Sequence, residues 1–426
     1  MGFLAITAFN LTDTFFVSRL GTAPLAAMGF TFPVVMVVGA AASGIAMGAG
    51  AILARCLGAG DRDGAAEAAT HGLLLALALT AVIGVLGLAT MDRLFTALGA
   101  TEETLPLVKD YMRLWYAGCI VVVTPPVGDS NLRASGDMVR PTLVMLTVAL
   151  ANVVLDPLLI FGWGPIPAMG IKGAAVATVA SRAAGMAATL TFNRKAGLLR
   201  RFGAGFRSLL TSWGRILGIG VPTAVIQLLP SALKGVLTAM AAGVAGTVGV
   251  AAIAAASRVE SVPLLVAMAF NYAILTLTAQ NFGAGRRDRV ESVRRYTVRF
   301  SLGYGAVLAV AMGLAAPGLS SLFSDEAAVV GLSAAYLRIV FLASPGLLLL
   351  SWTSVCLSAV GRPWRSLVLN AGVTVVLMIP GAFLGRLALP DSPFVGMVWG
   401  LAIAYAVTGL AAWIVGRRSI SAAVTT

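Results

Sequence analysis

Charge is scarce in this chain of 426 residues: only 11% are Asp, Glu, Lys or Arg, against 59% hydrophobic. So few charges cannot cover the water-facing surface of the soluble domains that such a length would otherwise allow. Histidine occurs once, at His71, so imidazoles cannot build a zinc or haem centre; the residue reads as a helix-packing or membrane-edge side chain. The three cysteines, Cys56, Cys119 and Cys356, lie apart and without CxxC spacing, which argues against a disulfide framework and a thiolate metal site. The strict polar/apolar alternation of a transmembrane β-barrel is also missing, and apolar runs of about twenty residues require helices. Nothing in the spans pairs a nucleophile with a base, so the chain does not read as an enzyme.

Basic residues exceed acidic ones by 30 to 17, but they sit in short loops between apolar runs, where they report topology and not nucleic-acid binding. Cutting at charged or Gly/Pro-rich breaks gives twelve spans: 2–18, 24–54, 65–91, 106–134, 141–162, 170–192, 216–242, 248–281, 293–317, 328–358, 366–387 and 393–415. Arg194, Lys195, Arg200, Arg201, Arg207 and Arg215 follow the sixth span, and Arg286, Arg287, Arg289, Arg294 and Arg295 follow the eighth. Both loops are expected in the cytoplasm, as are both termini, in the inner membrane of the cell. No secretory signal is visible, and the first span starts so near Met1 that an upstream start stays open.

A shift of 225 positions lays the second half on the first. Gly21 and Thr22 fall on Gly246 and Thr247; Gly58, Gly60 and Asp63 on Gly283, Gly285 and Asp288; Tyr111 and Arg113 on Tyr336 and Arg338; Gly136 and Arg140 on Gly361 and Arg365. Six spans per copy is an even number, so both copies enter the membrane in the same sense, as two lobes of a parallel repeat. The expected division is an N-terminal lobe over 1–193, a cytoplasmic linker over 194–215 and a C-terminal lobe over 216–426. Paired lobes of this kind suit transport by alternating access.

Carboxylates at bilayer depth cost about 2.5 to 3.5 kcal/mol each on insertion scales, so they face a cavity or a partner. Asp13, Asp129, Asp156 and Glu260 qualify. Asn152 and Asp156 share one face of span five, and Asn10 shares a face of span one with Asp13. Under the 225-residue shift Asp13 meets Thr238, Asn152 meets Leu377 and Asp156 meets Gly381, so this polar set is private to the first lobe. Such oxygens can hold a proton or coordinate Na⁺, or can simply join helices by hydrogen bonds. Glu260 could contact a cationic substrate or form a structural pair, and Lys234 could snorkel or pair with a carboxylate across a central cleft. Asp129, near a helix end with Asn131 and Arg133, is expected to be solvated or to close a gate.

With these residues in hand, the chain resembles the multidrug and toxic compound extrusion (MATE) transporters over nearly its whole length, most closely the bacterial and archaeal branch. The likeness rests on NLTDTFFVSRLGTAPLAAMGFTFP, the paired loops LARCLGAGD and QNFGAGRRD, LRASGDMVRP, and NVVLDPLLIFGWG with GIKGAAVAT. The resemblance implies a V-shaped exporter of twelve helices that exchanges H⁺ or Na⁺ for organic, often cationic compounds. Its cation site in the first lobe falls here on Asp13, Asn152, Asp156 and Thr178, with Asn10 beside them. Arg258 and Glu260 match a charged pattern of the eighth span. Where some branches carry a glutamate in the seventh span, this chain has Gln227 and Lys234 and no acid, and the four charged or amide residues are the substrate-cleft candidates. No cofactor is expected beyond the coupling ion; the partners are small organic molecules and the lipid bilayer, without nucleic acid, and the protein is expected to be a monomer. The alternative is a flippase for lipid-linked saccharides of a related fold.

Overall fold

The computed structural model describes residues 12–200 and 205–425, with side-chain surroundings described as far as 420. It is all helix, with no strand among the described residues beyond a bridge between Trp163 and Ile166. The first span is described over residues 12–18 (α1). The rest of the first half is α2 (Thr22–Gly58), α3 (Arg62–Ala97), α4 (Thr104–Ala117), α5 (Cys119–Ala134), α6 (Val139–Phe161) and α7 (Ile171–Lys195). Then come α8 (Phe206–Gly283), α9 (Arg287–Ser320), α10 (Ala327–Leu342), α11 (Ser344–Ala359), α12 (Pro363–Gly372), a π-helical turn (Val373–Met378), α13 (Ile379–Ala388) and α14 (Pro393–Thr425).

Eight of the described helices are long and apolar enough to cross a membrane, and the bent pair of α10 and α11 makes a ninth. A straight α8 of 78 residues would measure about 117 Å, several bilayers deep, but it breaks at Gly246, whose φ of 56° is not helical. Two spans result. Of the first expected span only residues 12–18 are described; with the pair of α4 and α5, eleven crossings are present among the described residues. Two of them, read from the sequence as continuous over 106–134 and 328–358, are broken instead: α4 gives way to α5 at Gly118, and α10 to α11 at Ala343 with a bend of 57°.

The repeat is written into the backbone. Gly118 and Ala343 are 225 positions apart, and so are the ends of α5 and α11. Glycines with positive φ recur on the same shift: Gly60 at 79° with Gly285 at 67°, and Gly136 at 100° with Gly361 at 83°. Each closes the same helix-to-helix turn in its own half, in a left-handed conformation that side chains with a Cβ rarely adopt.

The chain divides into two compact units, Met1–Ala224 and Val225–Thr426. The dividing point lies inside α8. Of the connection read as 194–215, residues 206–215 are helical, and this first part of α8 packs on α2: a Cβ on Gly48 would collide with the Ile216 carbonyl, and one on Gly220 would lie 2.9 Å from the Gly44 carbonyl. Unit one centres on Phe95, Met112, Trp115 and Tyr116, and unit two on Leu237, Tyr336, Leu337 and Met397. Side chains such as Val85, Leu150, Leu314 and Val368 stand outward and exposed, as lipid-facing residues do.

Candidate ion-coupling site

In α6 the spacing of four places Asn152 and Asp156 on one face, and both are fully buried. Asn152 Nδ2 donates to Asp156 Oδ1 at 3.0 Å. Pro157 follows directly; lacking an N–H, it leaves a carbonyl one turn earlier without its helical donor and loosens the helix beside the carboxylate. Asp13 of α1 and Thr178 of α7 are buried in the same unit. Asp156 feels the charge of Asp13, so three helices bring the sequence-expected set together. Asn10 lies outside the described residues.

Two further members complete the cluster. Tyr111 of α4 is buried beside Thr178 and interacts electrostatically with Asp13, Asp156 and Arg182. Arg182, four residues and one helical turn beyond Thr178 on α7, is the cation that faces Asp13. Neither was singled out as a site residue from sequence. The signals were available: Tyr111 recurs as Tyr336 in the repeat, and Arg182 sits at i+4 from Thr178. Asp13 Oδ1, Asn152 Oδ1 and Asp156 Oδ2 are buried without a hydrogen-bond partner. Carboxylate and amide oxygens left without donors in a dry interior form a receptive place for a proton or a small hard cation.

Unit two answers with a different chemistry at the related place. Lys234 Nζ donates to Glu260 and, at 3.2 Å, to the hydroxyl of Tyr336, over whose ring it also lies. Buried Tyr405 of α14 feels both charges and Tyr336 as well. Lys234 thus pairs with a carboxylate of its own unit, and Glu260 meets an internal ammonium. Arg258 is exposed and stacks on Phe323, with 5.6 Å from its guanidinium carbon to the ring centre. Gln227 is exposed on α8 and does not join the pair.

Asp129 departs from its expected solvation. It is buried at 4% exposure, accepts a hydrogen bond from Thr189 of α7 at 2.9 Å and faces Arg133 one turn along α5. Helix α7 covers the end of α5 there, which the sequence of α5 alone cannot reveal.

Repeated membrane-crossing helices, with an acid cluster in one unit and a neutral ion pair in the other, fit a membrane transporter. The family model MatE matches residues 1–158 and 222–384, one segment in each half, and the chain belongs to that family of transporters. A Shewanella oneidensis protein named FAD transporter is 35% identical over 96% of this chain and 89% of its own length. The Thermotoga maritima probable multidrug resistance protein NorM is 28% identical over 78% of this chain and 71% of its own. A solved variant of the Vibrio cholerae MATE transporter VcmN covers 100% of this chain and 95% of its own with a TM-score of 0.92; at 24% identity it attests the fold.

Proposed function

We propose that this chain is a secondary active exporter of the inner membrane, with both termini cytoplasmic, that exchanges H⁺ or Na⁺ for organic molecules by alternating access. The observation that carries the reading is the cluster of Asp13, Asp156, Asn152 and Thr178, drawn from three helices of unit one, with acceptor oxygens that no protein donor satisfies. With both acids ionised and Arg182 protonated the cluster holds one net negative charge, so a single proton or Na⁺ neutralises it. Entry of that ion removes the cost of an unbalanced charge in a low-dielectric interior, and the helices that carry the ligands can then repack. One charge moved through 100 mV supplies about 2.3 kcal/mol, close to fifty-fold in cargo concentration.

In unit two the built-in ammonium of Lys234 already neutralises Glu260, which leaves the coupling to unit one. The name of the Shewanella oneidensis relative makes FAD the first cargo to test, and the multidrug resistance name of the Thermotoga maritima relative adds drugs. The test is transport of FAD and of ethidium in proteoliposomes under an imposed pH gradient and, separately, an imposed Na⁺ gradient. Concentrative transport collapsed by the matching ionophore is expected for one of the gradients. Equilibration that stops at equal concentrations under both would leave a passive channel.

A further inference from the structure

The polar interior of unit one does not end at the acid cluster. On α7 the buried residues Thr178, Ser181, Thr189 and Asn193 share one face over about 22 Å, interrupted at Gly185, where Val148 packs, and Thr124 of α5 is a further buried polar residue. Across from its lower half, α5 buries Asp129, Ser130 and Asn131. The two faces are joined. Thr189 donates to Asp129, Asn193 Nδ2 donates to the Gly128 carbonyl at 3.0 Å, and Asn131 Nδ2 reaches the Ala69 carbonyl of α3 at 3.5 Å.

Beside Ala69 stand Glu67 and His71, whose Nδ1 lies 3.8 Å from Glu67 Oε1. Glu67 accepts a hydrogen bond from Ser208 and lines an open cavity of about 540 Å³ with Cys56, Asp61, Thr211 and Arg215. Along this track Thr124 Oγ1, Asn131 Oδ1 and Asn193 Oδ1 are buried without a hydrogen-bond partner, in continuation of the unpartnered oxygens of Asp13, Asn152 and Asp156. Each such group costs about 1–3 kcal/mol if left dry, and internal water is what ordinarily satisfies it. In unit two only Ser366 Oγ and Thr408 Oγ1 are in that condition among the described residues.

We propose that unit one holds a hydrated proton conduit from the Asp13–Asp156 cluster to the cavity at Glu67, with Asp129 as its relay. The inference rests on the antiport reading and commits it to protons. A proton leaves the Asp13–Asp156 carboxyls for water held by Thr178 and Thr124 and protonates the Asp129 carboxylate. It then departs through water held by Asn131 and Asn193 to the Glu67–His71 end, which is cytoplasmic on the proposed orientation. Arg133 faces Asp129 from one turn along α5, and Arg182 faces Asp13 at the other end of the track. The competing role is helix joining alone, since Asp129 bonds Thr189.

Asp129→Asn separates the two roles, because an amide oxygen still accepts from Thr189 but cannot take up a proton. In proteoliposomes, export driven by a pH gradient is expected to fall about ten-fold or more in this variant, with cargo-for-cargo counterflow unchanged and Asp129→Glu restoring driven export. The double variant Asp129→Asn/Arg133→Gln also removes the guanidinium that faces position 129 and is expected to behave as the single one. Driven export at the wild-type rate in either variant overturns the conduit, as does counterflow that falls in step with it. Wild-type transport powered by Na⁺ alone overturns the conduit and leaves the antiport reading standing; transport powered by neither gradient overturns the reading itself.

Discussion

When both acids are ionised, Asp13, Asp156 and Arg182 carry an odd number of buried charges, and an odd number cannot cancel. Lys234 and Glu260 make an even one. Removing one partner of the even pair strands the other: Lys234→Met is expected to destabilise the detergent-purified protein by about 1–3 kcal/mol, less than for a sealed pair because Lys234 is 30% exposed. The double variant Lys234→Met/Glu260→Met is expected to recover most of that loss, read as the melting temperature; equal losses in the single and the double variant would show that a stranded Glu260 carries no penalty of its own. At this scale the sequence was legible where a carboxylate interrupts an apolar run, as at Asp13 and Asp156. Tyr111 hides better, since a tyrosine near a span end reads as an interface anchor, whereas Arg182, midway along the span read as 170–192, is itself a charge that interrupts an apolar run. Asp129 was misread because its depth is set by α7, a neighbour that the run from Asp129 to Arg133 does not name.

Where helices meet, glycine decides how close they come. Gly381 and Gly385 of α13 face Gly396 and Gly400 of α14 with the backbones in contact, and a Cβ on Gly400 would strike the Gly381 carbonyl. Gly400→Val is expected to cost several degrees of melting temperature or to prevent accumulation of folded protein. By contrast Gly303→Ala, on an open face of α9, should be neutral or slightly stabilising. Equal tolerance of both would remove the close approach from the account. The spans themselves were readable from apolar length, but their breaks were not. Pro125 and Pro126 lie inside α5, which continues through them, while the break falls earlier at Gly118. Proline marks where a helical bond is lost, and neighbouring helices determine whether the chain bends there. Likewise Pro380 follows a π-helical turn that widens the backbone before the ring arrives.

On the scale of the whole chain, duplication supplied two similar units and substitution made them unlike. The backbone still keeps the 225-residue shift at its turns and breaks, which is why the fold could be read by laying the sequence on itself. The chemistry has diverged: Tyr111 attends two acids and an arginine, whereas Tyr336 attends an ammonium and one acid. On the proposed antiport reading coupling belongs to unit one, and the charge count of Asp13, Asp156 and Arg182 predicts one cation per transport cycle. The most direct test is ion-driven export compared with cargo-for-cargo counterflow in Asp13→Asn and Asp156→Asn, reconstituted at wild-type levels. Loss of driven export in both variants, with counterflow retained, is the predicted result. Export still driven by the gradient at the wild-type rate in both would contradict it.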